Sequence, residues 1–98
     1  MAQQPIFSWE VERGDGRTLV FLRGELDLAS AETALDVLID ALRDGDLVID
    51  ASELSFIDSS GIRSILEAYR EAHQGAGVGR RVTVRAPISV WERLTAGD

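Results

Sequence analysis

Leu54–Ala72 reads LSFIDSSGIRSILEAYREA, and its two halves carry different periods. Leu54 and Phe56 alternate with Ser55 as at the end of a strand, whereas Ile62, Ile65, Leu66 and Tyr69 fall at helical spacing. A strand therefore turns into a helix here, with Asp58, Ser59, Ser60 and Gly61 in the turn. The first backbone N–H groups of a helix have no intrahelical partners. A serine hydroxyl can accept one of them, and losing such a cap costs about 0.5–2 kcal/mol. With Ser60 as the expected cap, Ser59 stands just outside the helix with a free hydroxyl.

Upstream, Phe7, Trp9 and Val11 alternate with polar residues, the pattern of a half-buried strand. Arg13–Gly16 (RGDG) is expected to be a hairpin turn, since Asp-Gly supplies the positive φ angles such turns need. Thr18–Arg23 (TLVFLR) follows as a strand near the middle of a sheet, and Gly24 is placed to bend the chain off it. Ser30 is the preferred N-cap of a helix whose buried stripe is Ala31, Ala34, Leu35, Leu38, Ile39 and Leu42. Gly45 is expected as its left-handed C-cap. Leu47–Ala51 reads as a short strand buried on both faces.

Downstream, the second helix is expected from about Ser60 to His73, with Gly75–Gly79 (GAGVG) as a turn. Those glycines lack the G-x-G-x-x-G spacing and follow a helix, the reverse of a phosphate cradle. Arg81–Arg85 (RVTVR) alternates as a strand, and Pro87 opens a last helix with Ile88, Trp91 and Leu94 on one face. The order β β α β α β α predicts a single α/β domain, a mixed four-stranded sheet packed against helices.

Ninety-eight residues suffice for one domain. A formal charge of -7, with all ten basic residues arginine, argues against nucleic acid, whose phosphates need a basic footprint. No apolar run approaches the roughly 20 residues that span a bilayer, and Met1–Pro5 lacks the features of a signal peptide, so a cytoplasmic location is expected. Cysteine is absent, which excludes disulfides, thiol catalysis and Cys-ligated zinc. The single histidine, His73, has no metal-ligand spacing around it and reads as a polar group near a helix end. No metal and no cofactor is expected.

Ser59 has no path to nucleophilic catalysis: the G-x-S-x-G elbow is missing, and His73 lies about three to four helical turns along the same helix. Phosphorylation is a different matter. It adds roughly -1.5 to -2 charges, and a helix N-terminus accommodates an anion. The fold should survive the modification, while a docked partner facing new charge beside Asp58 should not.

These residues together resemble the STAS family, the domain shared by anti-sigma factor antagonists and the cytoplasmic parts of sulfate transporters. The resemblance runs through LRGELDLAS (Leu22–Ser30), LVIDASELSFIDSSGI (Leu47–Ile62), RVTVRA (Arg81–Ala86) and WERL (Trp91–Leu94). It implies that Ser59 accepts phosphate from an anti-sigma factor that is a serine kinase and that a phosphoserine phosphatase removes it. The unphosphorylated chain then binds the anti-sigma factor and frees a sigma factor. The implied partner surface comprises Glu25, Asp27, Asp58, Ser59, Ser60, Gly61 and Arg63. ATP and magnesium belong to the kinase, so this chain is expected to be a substrate and not an enzyme.

Members of the family usually continue into a further strand and helix, whereas this chain ends at Asp98. The edge left open is expected to favour weak homodimerisation. A second reading keeps the fold and changes the class: a stand-alone STAS subunit of a membrane ABC transport assembly, bound to its ATPase. A third, a hydrolase or nucleotide-binding enzyme, lacks base, metal site and phosphate loop.

Overall fold

The structure, a computed structural model, describes residues 6–75 and 79–96. Of the glycine-rich turn, residues 76–78 lie outside the described residues, as does the leader reading of Met1–Pro5. The elements follow in the expected order: β1 (Ser8–Gly14), β2 (Arg17–Leu26), α1 (Ala31–Leu42), β3 (Asp46–Ile57), α2 (Ser59–Gln74), β4 (Val82–Arg85) and α3 (Ile88–Thr95). The sheet has the spatial order β1-β2-β3-β4. β1 pairs with β2 antiparallel, while β2–β3 and β3–β4 are parallel. The hairpin turn is as the sequence requires, Asp15 and Gly16 both having positive φ.

The core forms because one face of the sheet meets all three helices. Val20, Leu22 and Leu26 of β2, Leu47 and Ile49 of β3 and Val82 of β4 join Ala34 and Leu38 of α1, Ile62 and Ile65 of α2 and Leu94 of α3 in one apolar cluster. β2 and β3 supply its centre, as their continuous apolar runs imply. Val48 points to the opposite face and is still only 6% exposed, so the two-sided burial expected of β3 holds. That opposite face is polar at its margins, where Arg23 bridges Glu10 of β1 and Glu53 of β3 at 3.0 and 2.9 Å. Among the described residues no helix is long and apolar enough to cross a membrane.

Several local expectations are corrected. The buried stripe of α1 is Ala34, Leu38, Ala41 and Leu42, with Ala31, Leu35 and Ile39 only partly covered, because the stripe follows the 3.6-residue period from Ala34. Gly45 is not left-handed. Its place is fixed instead by the close approach of the Gly16 backbone, where a Cβ would collide. Gly24 does have positive φ (88°), yet β2 continues through it to Leu26. α3 buries Val90 and Leu94, leaving Ile88 71% and Trp91 39% exposed, and Tyr69 of α2 also stays open to solvent. Tyr69 and Trp91, with Leu66 and Val84, line a groove of about 300 Å³ between α2, β4 and α3.

Candidate functional site

The carboxyl ends of β2 and β3 lie side by side, and each leads into a turn that opens a helix. The two turns are tied together where the Asp58 N–H donates to the Leu26 carbonyl at 3.2 Å. This brings Glu25–Asp27 and Asp58–Gly61 to one end of the sheet, where ligands and partners commonly meet parallel strands.

Asp58, and neither serine, is the N-cap of α2. Its backbone is extended and its Oδ1 accepts from the N–H groups of Ser60 at 2.9 Å and Gly61 at 3.1 Å. A carboxylate accepts two such donors at once and also suits the positive end of the helix, which is why it displaces Ser60 from the expected role. Ser59 and Ser60 are therefore the first two residues inside the helix. Ser59 is exposed and Ser60 partly buried. Among the described residues neither hydroxyl has a hydrogen-bond partner, whereas Ser64, one turn on and buried, donates to the Gly61 carbonyl at 2.7 Å.

Gly61 is required by contact. A Cβ there would lie 2.5 Å from the Leu26 carbonyl oxygen and 2.8 Å from Leu26 Cγ and Ile57 Cγ1. The first turn of α2 thus presses directly on the end of β2. That contact sets the distance between the two acidic turns.

The upstream turn repeats the logic. Asp27 Oδ1 accepts from the Ala29 N–H at 3.0 Å and the Ser30 N–H at 3.3 Å, and the Asp27 carbonyl accepts from Ala31 at 2.8 Å. Ser30 precedes α1 but makes no side-chain cap; its hydroxyl turns back and donates to the Glu25 carbonyl at 2.9 Å, while the Asp27 N–H donates to it at 3.0 Å. Asp27 therefore braces its own turn with one oxygen and carries its charge at the sheet end. Glu25 is partly buried at the end of β2, and Arg63 is exposed on α2, one turn beyond Ser59.

Two features escaped the sequence reading. Arg93 of α3 donates to the Ile57 carbonyl at 2.7 Å, pinning α3 beside the residue that precedes Asp58. Between them lies a cleft of about 320 Å³ lined by Leu54, Phe56, Ile57, Pro87, Val90 and Arg93. Phe56 is also turned to solvent, although its alternation with Leu54 predicts burial. An arginine reaching across from a distant helix leaves no local sequence signal, and neither does an irregular strand register. Among the described residues, no group of three or more His, Cys, Asp or Glu is placed to hold a metal ion.

A mixed sheet whose strand ends present two acidic turns, one bearing an exposed serine, is a small α/β domain with its distinctive chemistry at the sheet end. The STAS domain family model matches residues 8–80, and the chain belongs to that family. Among solved structures, an anti-sigma factor antagonist from Mycobacterium paratuberculosis is 25% identical, with a TM-score of 0.72 over 99% of this chain and 83% of that one. The anti-sigma factor antagonist SpoIIAA in its unphosphorylated form is also 25% identical, with a TM-score of 0.65 over 84% of this chain and 77% of that one. A protein called Mglu is 33% identical over 80% of this chain with a TM-score of 0.67, and there the match spans 19% of the longer molecule.

Proposed function

We propose that this chain is an anti-sigma factor antagonist that works by partner switching. Unphosphorylated, it binds an anti-sigma factor that is a serine kinase, and the sigma factor is released. The kinase transfers the γ-phosphoryl group of ATP to Ser59 Oγ: the new P–O bond forms, the bond to ADP breaks, and the hydroxyl proton is lost. The phosphorylated chain leaves the complex, and a phosphoserine phosphatase restores the serine by hydrolysis.

The observation that carries this reading is the division of labour at the turn. Asp58 alone supplies the side-chain cap, so the exposed Ser59 hydroxyl is free for modification without loss of a hydrogen bond. Solved anti-sigma factor antagonists that share the fold support the choice of partner. A phosphate at Ser59 would join Asp58, Asp27 and Glu25 at one end of the sheet, adding roughly -1.5 to -2 charges to a surface already acidic. Repulsion and desolvation of that charge oppose an interface.

The test is labelling with radioactive ATP by the anti-sigma factor kinase of the source cell. Phosphate is expected on Ser59, absent from Ser59→Ala and retained by Ser60→Ala. Equal labelling of Ser59→Ala would contradict the assignment.

A further inference from the structure

Phe56 is turned outward by the backbone, against its place in the alternation. In a regular strand residues two apart share a face, so Leu54 and Phe56 would both be covered. Instead Leu54 and Ile57 pack against the core. The pairing of β2 with β3 shifts between Gly24–Leu54 and Glu25–Phe56, leaving Ser55 as an extra residue. Such a bulge reverses the facing of every residue beyond it. Phe56 emerges 49% exposed, opposite Glu25 and two residues before Asp58.

Leu28 is the second large apolar side chain at this end. It follows Asp27 directly and is 79% exposed, the most open large apolar residue among those described. Its turn is held by the Asp27 and Ser30 hydrogen bonds, so the exposure is built in. A lone exposed leucine needs no explanation. Here two apolar side chains belong to the same pair of turns, one of them exposed by a bulge; Glu25 lies across from Phe56 in the strand pairing, Asp58 follows Phe56 by two residues, and Asp27 directly precedes Leu28. Of the cations near this end, Arg93 on α3 is occupied by the Ile57 carbonyl, while Arg63 on α2, one turn beyond Ser59, is exposed. Apolar anchors beside like charges are the composition of an interface centre with a charged rim.

We propose that Leu28 and Phe56 are the apolar anchors of the partner interface, and that they meet an apolar depression on the anti-sigma factor rimmed by arginine or lysine. The acidic groups steer and orient the encounter, and the two side chains supply the holding contact. This rests on the partner-switching reading given above.

Affinity for the purified anti-sigma factor kinase of the source cell, measured by titration calorimetry, tests it. Leu28→Gln and Phe56→Ser are each expected to weaken binding on the order of tenfold or more, while Ile88→Ser, an exposed apolar residue on α3, is expected to leave it unchanged. Asp27→Asn, which keeps its hydrogen-bond geometry, should flatten the salt dependence of association. Because Leu28 is so exposed, Leu28→Gln keeps its melting temperature and decides the matter even if Phe56→Ser unfolds. Binding by the folded variants, Leu28→Gln alone if Phe56→Ser unfolds, within about twofold of wild type, the usual scatter of neutral surface substitutions, would overturn the anchor assignment while the switch stands. Wild-type protein that neither binds the kinase nor takes its phosphate would overturn the switch itself, before any variant is made.

Discussion

Asp58 holds two backbone N–H groups with one oxygen, and Gly61 leaves the space into which β2 presses. The two residues are thereby separated from the serines between them. Asp58→Ala should lower stability by about 0.5–2 kcal/mol in chemical denaturation, with Asp58→Asn retaining most of it because an amide oxygen can accept the same donors. Gly61→Ala is a sharper case. Alanine favours a helix interior by about 1 kcal/mol over glycine, yet its Cβ must displace the Leu26 carbonyl, and overpacking of this kind typically costs about 1–3 kcal/mol. Net destabilisation is expected, read as a lower denaturation midpoint at unchanged slope; a stabilised variant would show that the contact yields easily. The motif Asp-Ser-Ser-Gly was readable as a helix start from sequence, but which residue caps was not. A carboxylate and a hydroxyl are both good caps, and the choice depends on backbone angles that only the folded turn fixes.

At the scale of elements, the strand and helix order was legible because periodicity changes cleanly at each boundary. The facing of side chains was less so. The register of β3 changes at Ser55, and α3 packs through Val90 and Leu94 while Ile88 and Trp91 stay open. Both depend on what lies across the sheet and not on local pattern. β3 also carries an electrostatic feature. Partial burial pushes the Asp50 carboxyl up, but hydrogen bonds from the Ser52 hydroxyl and backbone N–H, with the charges of Arg85 and Arg23, outweigh it and hold Asp50 below its ordinary value. A carboxylate whose folded value is depressed contributes stability that is present above its unfolded value and lost as pH falls through the folded one. Acid should therefore weaken the native state progressively below about pH 4, and Asp50→Asn should make that decline shallower in thermal melts taken across the acid range. An unchanged acid limb would show that Ser52 and the two arginines hold nothing at Asp50.

For the whole molecule, a phosphate on the exposed Ser59 would change the charge at one end of the sheet and leave the apolar core untouched. The family and its architecture were carried by motifs spread over most of the chain, so they could be read early. The outward Phe56 and the Arg93 tether could not, since each arises from residues far apart in sequence. Arg63 lies four residues beyond Ser59 on the same helical face and has no ion-pair partner among the described residues. A phosphate at Ser59 can pair with it at i,i+4 spacing, a further reason for the fold to tolerate the charge. The most direct measurement is a paired one on stoichiometrically phosphorylated protein and on Ser59→Glu: melting temperature, and affinity for the anti-sigma factor kinase. Melting within a few degrees of wild type is expected, since surface changes usually stay within about 0.5 kcal/mol, together with loss of binding on the order of 100-fold or more for the phosphorylated protein. Binding that persists at full strength after phosphorylation, or that is lost only in step with unfolding, would contradict it.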